Sequence, residues 1–131
     1  MKKLLIVLGL VLSQASFASP SSIDVFTSLL PYGKYEGDSC VVNMRYTLKG
    51  NLKVTVANDF QRRSFVIDRH GYHRFIPGKH FVISEKVRKN NAVFHDYFFF
   101  SYVNGKRSVL IGQSLYSRTN SYDYNVECTI D

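Results

Sequence analysis

Apolar and polar residues alternate one by one along three segments of this chain, residues 40–48, 52–56 and 122–130. Successive side chains of a β-strand point to opposite faces, so the pattern predicts strands with one buried and one wet face. Such strands are typical of antiparallel sheets. The residues expected inside are Cys40, Val42, Met44, Tyr46, Leu48, Leu52, Val54, Val56, Tyr122, Tyr124, Val126, Cys128 and Ile130.

The remaining segments predict one helix and further short strands. Ile23, Phe26, Leu29 and Leu30 recur at helical spacing after Ser22, a suitable N-cap, and Pro31 and Gly33 end the pattern. Apolar stretches at 63–68, 72–76, 80–87 and 93–116 read as strands. The turn signals between the strands are Asn58-Asp59, His70-Gly71, Pro77-Gly78, Asn90-Asn91 and Asn104-Gly105.

About eight short strands without a second helix predict an all-β fold, an antiparallel up-and-down barrel with one short N-terminal helix. The two cysteines test closure, since Cys40 begins the first strand, Cys128 ends the last, and both have inward register. First and last strands are antiparallel neighbours in such a barrel, so a Cys40–Cys128 disulfide fits it. The alternative is a sandwich whose end strands merely lie near each other.

The N-terminus predicts export. Lys2 and Lys3 precede an uncharged run from Leu4 to Leu12, and Ser16 and Ala18 occupy the small-residue positions before a cleavage site. The run is too short to span a bilayer. We therefore expect a signal peptide at 1–18, a leader and short helix at 19–38, and the barrel domain at 39–131, in the bacterial periplasm or secreted.

The chain is basic. Its formal net charge is +7, and removal of Lys2 and Lys3 with the signal peptide leaves +5. That charge favours an anionic envelope surface, such as lipid headgroups or cell-wall polymers, or a protein partner. The alternative is an ordinary solvated surface, because the basic residues are scattered among turns. No nucleic acid is expected for an exported chain, and we expect a monomer.

One short motif resembles a known family. Gly33-x-Tyr35-x-Gly37 is similar to the G-x-W-x-G that opens the first strand of lipocalin-like barrels, the calycins. Here tyrosine replaces the tryptophan, and no C-terminal helix is predicted after the last strand. The resemblance implies a barrel that holds a small, mostly apolar ligand, with Tyr35 packed across the barrel base.

Register in the hairpin around Asn104-Gly105 predicts an interior polar cluster. A two-residue loop pairs Val103 with Lys106 and, further along, Asp96 with Gln113. A loop at residues 88–91 would place Glu85 diagonal to Asp96 on the same face, with Arg74 as the nearest cation by strand order. These four residues are the candidate ligand anchor. The alternatives are a structural network in which the polar groups hydrogen-bond one another, a bulge that turns Asp96 outward, or a position of Glu85 at the solvent-exposed rim of the barrel.

The opposite face of that hairpin predicts a partly exposed surface patch formed by Tyr97, Phe99, Leu110 and Tyr116. No catalytic motif is found, the histidines have no metal-site spacing, and no cofactor is expected. The leading hypothesis is an exported, non-enzymatic barrel that holds a small amphiphilic or apolar ligand. The alternative is a secreted or periplasmic protein–protein module, an inhibitor or cell-envelope protein, with a filled interior.

Overall fold

The computed structural model describes residues 21–76 and 79–130, which form one helix and nine strands. The predicted signal peptide lies outside the described residues. The elements are α1 (Ser22–Leu29), β1 (Lys34–Gly37), β2 (Cys40–Tyr46), β3 (Leu52–Asn58), β4 (Arg62–Ile67), β5 (Arg74–Ile76), β6 (Lys79–Lys89), β7 (Ala92–Val103), β8 (Lys106–Tyr116) and β9 (Ser121–Thr129).

The strands form two antiparallel meanders that share one core. Their orders are β1-β2-β3-β4 and β5-β6-β7-β8-β9. The all-β antiparallel class with one short helix is confirmed, but among the described strands no ladder joins the two sheets into a closed barrel. Between β4 and β5, Ser22 of the helix donates a 2.9 Å hydrogen bond to the Gly71 carbonyl and lies 2.8 Å from His73 Nδ1. The first turn of the helix is therefore anchored to the chain that connects the two sheets.

The core between the sheets is filled with side chains. Phe26 of α1 is fully buried, with its ring centroid 5.6, 5.1 and 5.8 Å from those of Phe81, Phe98 and Phe100. The helix begins one residue earlier than expected, because Ser21 is the N-cap and its hydroxyl accepts from the Asp24 amide. Phe26 of the helix thus completes the aromatic core between the two sheets.

The two sheets differ in strand length, and this difference shapes one end of the molecule. Strands β2, β3 and β4 have seven, seven and six residues, whereas β6, β7 and β8 have 11, 12 and 11. On the inward face of the long sheet, Phe98 and Phe100 are buried, but Phe94 further along β7 is only half-buried. The long sheet therefore extends beyond the cover that the short sheet provides.

The β2–β3 turn is longer than the three-residue loop, 49–51, that the alternation predicts by pairing Leu48 with Leu52. Tyr46 pairs with Leu52, and the turn runs through residues 47–51, with Gly50 at a φ of 80°. Leu48, which alternation placed inside, is fully exposed in this turn, and Tyr46 is half-exposed and stacks on Tyr32. The inward positions of Val42, Met44, Leu52, Val54 and Val56 are confirmed by their burial.

The hairpin register predicted from Asn104-Gly105 is confirmed at every pair from Val103–Lys106 to Phe94–Leu115. The β6–β7 register was wrong by two residues. Asn90 and Asn91 both adopt left-handed φ values, 51° and 62°, and form a tight two-residue turn. A shift by two keeps every side chain on its face but sets Glu85 directly opposite Asp96 instead of diagonal to it.

The Cys40–Cys128 disulfide is present and joins β2 of one sheet to β9 of the other, with the two Cα atoms 5.7 Å apart. Gly37 lies against it. A Cβ on Gly37 would stand 2.3 Å from the Thr129 carbonyl oxygen and 2.7 and 2.8 Å from the two sulfur atoms. Only glycine fits this corner, because the bridge draws β1 and the end of β9 together.

Reduction of the disulfide is expected to lower the melting temperature by several degrees. The bridge spans a sequence separation of 88 residues, and loop-closure entropy gives about 4.6 kcal/mol as its upper contribution. Thermal unfolding with and without reductant measures the change, and a Cys40→Ala, Cys128→Ala double variant is the matched control. Equal melting temperatures for oxidised and reduced protein would contradict the expectation.

Candidate functional site

A polar row crosses the inward face of the long sheet where the core ends. Glu85 of β6, Asp96 of β7, Gln113 of β8 and Tyr124 of β9 are consecutive cross-strand partners. Gln113 Nε2 donates a 2.8 Å hydrogen bond to Asp96 Oδ1, and the Tyr122 hydroxyl donates to Gln113 Oε1 at 3.4 Å. The structure therefore brings Glu85, Asp96 and Gln113 together, and Asp96 lies half-buried beside its amide donor.

The short sheet supplies the facing wall. Together, the two walls enclose an open cleft of about 380 Å³. Arg63 stands over the ring of Tyr124, with its guanidinium carbon 5.7 Å from the ring centroid. Both carboxylates lie on the long-sheet wall and the Arg63 guanidinium lies on the β4 wall, whereas Arg62, which also borders the cleft, belongs to the opposite face of β4. The residues that line the cleft are Arg62, Arg63, Ser64, Phe65, Val66, Glu85, Asp96, Ile111, Gly112 and Gln113.

Glu85 is exposed to solvent at this end of the sheet, but partial burial raises the pKa of its carboxyl above the ordinary value of 4.5, and the negative charges of Asp96 and then Asp68 raise it further. The pair is a like-charge arrangement, directly opposite across β6 and β7, which is unfavourable by itself. A positive group placed between the two carboxylates would relieve it.

Arg74, the cation expected from strand order, lies elsewhere. It pairs with Val82 from the short strand β5, is exposed, and is not among the residues that line the cleft. Sequence reasoning missed Arg62 and Arg63. The alternation in β4 indicates that Arg63 faces inward, because Arg63 lies on the same face of the strand as Phe65 and Ile67, which are both buried.

An apolar row follows the polar row on the same inward face. Val87, Phe94, Leu115 and Tyr122 are consecutive partners across β6 to β9, two residues further along each strand. Val87 is 47% exposed, and the other three are half-buried. The uncovered end of the long sheet therefore presents carboxylates next to a strip of apolar side chains.

The outer face of the long sheet carries the predicted surface patch. Tyr97, Phe99 and Leu110 are half-buried and Tyr116 is 61% exposed. The Tyr97 and Phe99 rings stack with centroids 5.2 Å apart, and the Tyr97 hydroxyl donates to Asp123. Burial and that hydrogen bond raise the pKa of Tyr97. The patch is thus tied to its own sheet by ring and hydroxyl contacts.

Gly33, Tyr35 and Gly37, the positions of the lipocalin-like motif, lie at the start of the short sheet. The half-buried Tyr35 side chain packs against the core, its hydroxyl donates to the Pro31 carbonyl at 2.6 Å, and the Arg107 guanidinium carbon lies 5.3 Å from its ring centroid. Comparisons with protein-family models, with curated proteins and with solved structures found no match to this chain. The likeness to lipocalin-like barrels stays a prediction.

No helix within residues 21–76 and 79–130 is long and apolar enough to cross a membrane. Within the same ranges, no group of three or more His, Cys, Asp or Glu residues is placed to hold a metal ion.

The Glu85→Gln variant is expected to melt at a higher temperature than the wild type at pH 7. A carboxyl pKa raised by folding makes the folded state hold its proton more tightly. Stability then falls as pH rises from 4.5 through the folded pKa. The advantage of the variant should disappear below pH 4.5, where Glu85 is protonated in both states. Melting temperatures across this pH range measure the difference.

The matched control is Glu127→Gln, which removes a carboxylate from the outer face of the same sheet, where Glu127 accepts a 2.7 Å hydrogen bond from Ser108. An equal pH-dependent gain in both variants would assign the effect to net charge and not to the Glu85–Asp96 pair.

Proposed function

We propose that this chain is an exported, non-enzymatic binding protein that holds a small amphiphile at the uncovered end of its long sheet. The observation that carries the proposal is the succession of two inward rows: Glu85, Asp96 and Gln113 beside the apolar row of Val87, Phe94, Leu115 and Tyr122. A ligand with a polar head and an apolar tail matches both rows at once. Such pairing of an apolar wall with a few placed polar groups is typical of small-molecule sites.

The charges of the cleft favour a zwitterionic head group. Glu85 and Asp96 lie directly opposite each other, and the pKa of Glu85 is raised first by burial and then by Asp96. A cationic group between them would offset that repulsion. The facing wall carries Arg63, so a negative group attached to the same head would meet a guanidinium donor.

The proposal locates the ligand outside the core, because the core is filled with side chains. Phe26, Phe81, Phe98 and Phe100 are all buried and in ring contact, which leaves the open end as the place for a guest. The proposal therefore keeps the ligand class implied by the lipocalin-like resemblance but locates the ligand at the uncovered end of the long sheet instead of inside a barrel. It requires two sheets that share a core and does not require the closed barrel expected from the sequence.

The proposal predicts that the mature protein binds decylphosphocholine more tightly than decyl maltoside, a detergent with the same tail and an uncharged head. Titration calorimetry below the micelle concentrations measures both affinities. A Glu85→Gln, Asp96→Asn double variant should bind decylphosphocholine about tenfold more weakly, because the electrostatic attraction of the two carboxylates for the quaternary ammonium group is lost. Its affinity for decyl maltoside should not change.

Folding of the variant is the internal control. Asn at position 96 keeps an oxygen that accepts from Gln113 Nε2, so the double variant is expected to unfold cooperatively and at no lower temperature than the wild type. Glu127→Gln again serves as the charge-matched control on the outer face. Equal affinity of the wild type and the double variant for decylphosphocholine would overturn the proposal.

A protein–protein module is the second candidate, and two observations favour it. The interior is filled, and the outer patch of Tyr97, Phe99, Leu110 and Tyr116 is partly exposed. Such a module would act through the outer face and would bind neither detergent in a manner that depends on Glu85 and Asp96. The titration above therefore separates the two candidates.

A further inference from the structure

A second charged cluster lies on the outer face of the short sheet, on the side away from the core. Arg45 of β2, Lys53 of β3 and Arg62 of β4 surround a hollow of about 90 Å³, whose other lining residues are Asn43 and Thr55. Liquid water occupies about 30 Å³ per molecule, so the hollow has room for about three waters or one small polyatomic ion. Its lining consists of polar and cationic side chains alone.

The register makes this cluster electrostatically unfavourable when it is empty. Arg45 and Lys53 are direct cross-strand partners, and like charges in that relation destabilise a sheet. The described row of Arg45 and Lys53 (Arg45–Lys53–Val66) and the described row of Asn43 and Thr55 (Lys34–Asn43–Thr55–Ser64) include no Asp or Glu. The row of Arg62 (Glu36–Val41–Ala57–Arg62) has Glu36 at its far end, on β1. Two cations are therefore held side by side without a carboxylate in their own rows.

The remaining lining residues supply hydrogen-bond donors. Asn43 carries an amide, and the Thr55 hydroxyl shares a 2.8 Å hydrogen bond with Ser64 in which either oxygen is able to donate. Arginine and lysine are the residues that bind phosphate and sulfate groups, through charge-assisted hydrogen bonds.

We infer that this hollow is a binding site for a tetrahedral oxyanion, a phosphate or sulfate group, held by Arg45, Lys53 and Arg62. The anion offsets the repulsion between Arg45 and Lys53, and the hydroxyl of Thr55 and the amide of Asn43 complete its hydrogen bonds. A free phosphate ion and the phosphate of a lipid headgroup present the same chemistry to these side chains. The site stands apart from the proposed amphiphile cleft, and Arg62 alone borders both.

The experiment titrates inorganic phosphate into the mature protein at low ionic strength and follows heat and melting temperature. Phosphate is expected to raise the melting temperature of the wild type, because a ligand that binds only the folded state stabilises it. Lys53→Gln and Arg45→Gln should each bind about tenfold more weakly, since each removes a charged hydrogen-bond donor. Without phosphate, both variants should be at least as stable as the wild type, because the like-charge pair is gone.

Lys86→Gln is the matched control, since Lys86 is an exposed lysine on the outer face of the long sheet, opposite His95. Vesicles of phosphatidylglycerol, with phosphatidylcholine vesicles as the comparison, distinguish the lipid source from free phosphate. Retention that depends on Lys53 and Arg45 but not on Lys86 supports the site with a lipid phosphate. Equal weakening by all three variants, or no binding of either probe, overturns it. These outcomes are independent of the Glu85 and Asp96 variants.

Discussion

Face-to-face packing of a short sheet on a long one is the constraint from which the rest of this structure follows. Strands of six or seven residues cover only part of strands of 11 or 12. Where the cover is complete, the inward positions hold phenylalanine, valine and isoleucine. Where it ends, the same inward register carries Glu85, Asp96 and Gln113, because carboxylates at these positions retain access to water and escape the full cost of burial.

The sequence predicts well which residues share a face of a strand or hairpin, and it predicts poorly how the two sheets pack on each other. The Asn104-Gly105 turn determines every pair of β7 and β8, and hence the contact of Asp96 with Gln113. The β6–β7 register was predicted wrongly because a four-residue loop was expected at residues 88–91. Asn90 and Asn91 instead both adopt left-handed conformations and form a two-residue turn. The two-sheet arrangement depends on how the helix packs at the β4–β5 connection, which local alternation does not encode.

The same distinction explains what sequence reasoning found of the site. Glu85, Asp96 and Gln113 belong to one sheet, so parity within its strands brings them to one face. Arg62 and Arg63 border the same cleft from the other sheet, and no periodicity within β6 to β8 specifies which strand will lie across the cleft. Arg74 was chosen by order along the chain, but strand order within a sheet does not give proximity across the core. Alternation also failed at Leu48, because a turn frees its residues from the period of two.

The two lateral edges of the core are both tied, one by the Cys40–Cys128 bridge and the other by the chain between β4 and β5 with the helix docked on it. The two sheets are therefore unable to separate without breaking one of these connections. The amphiphile proposed for the uncovered end of the long sheet would not need them to separate. Its exchange with solvent would be set by dissociation from an open surface, so that its residence time would depend on contact strength and not on the rate at which the core opens.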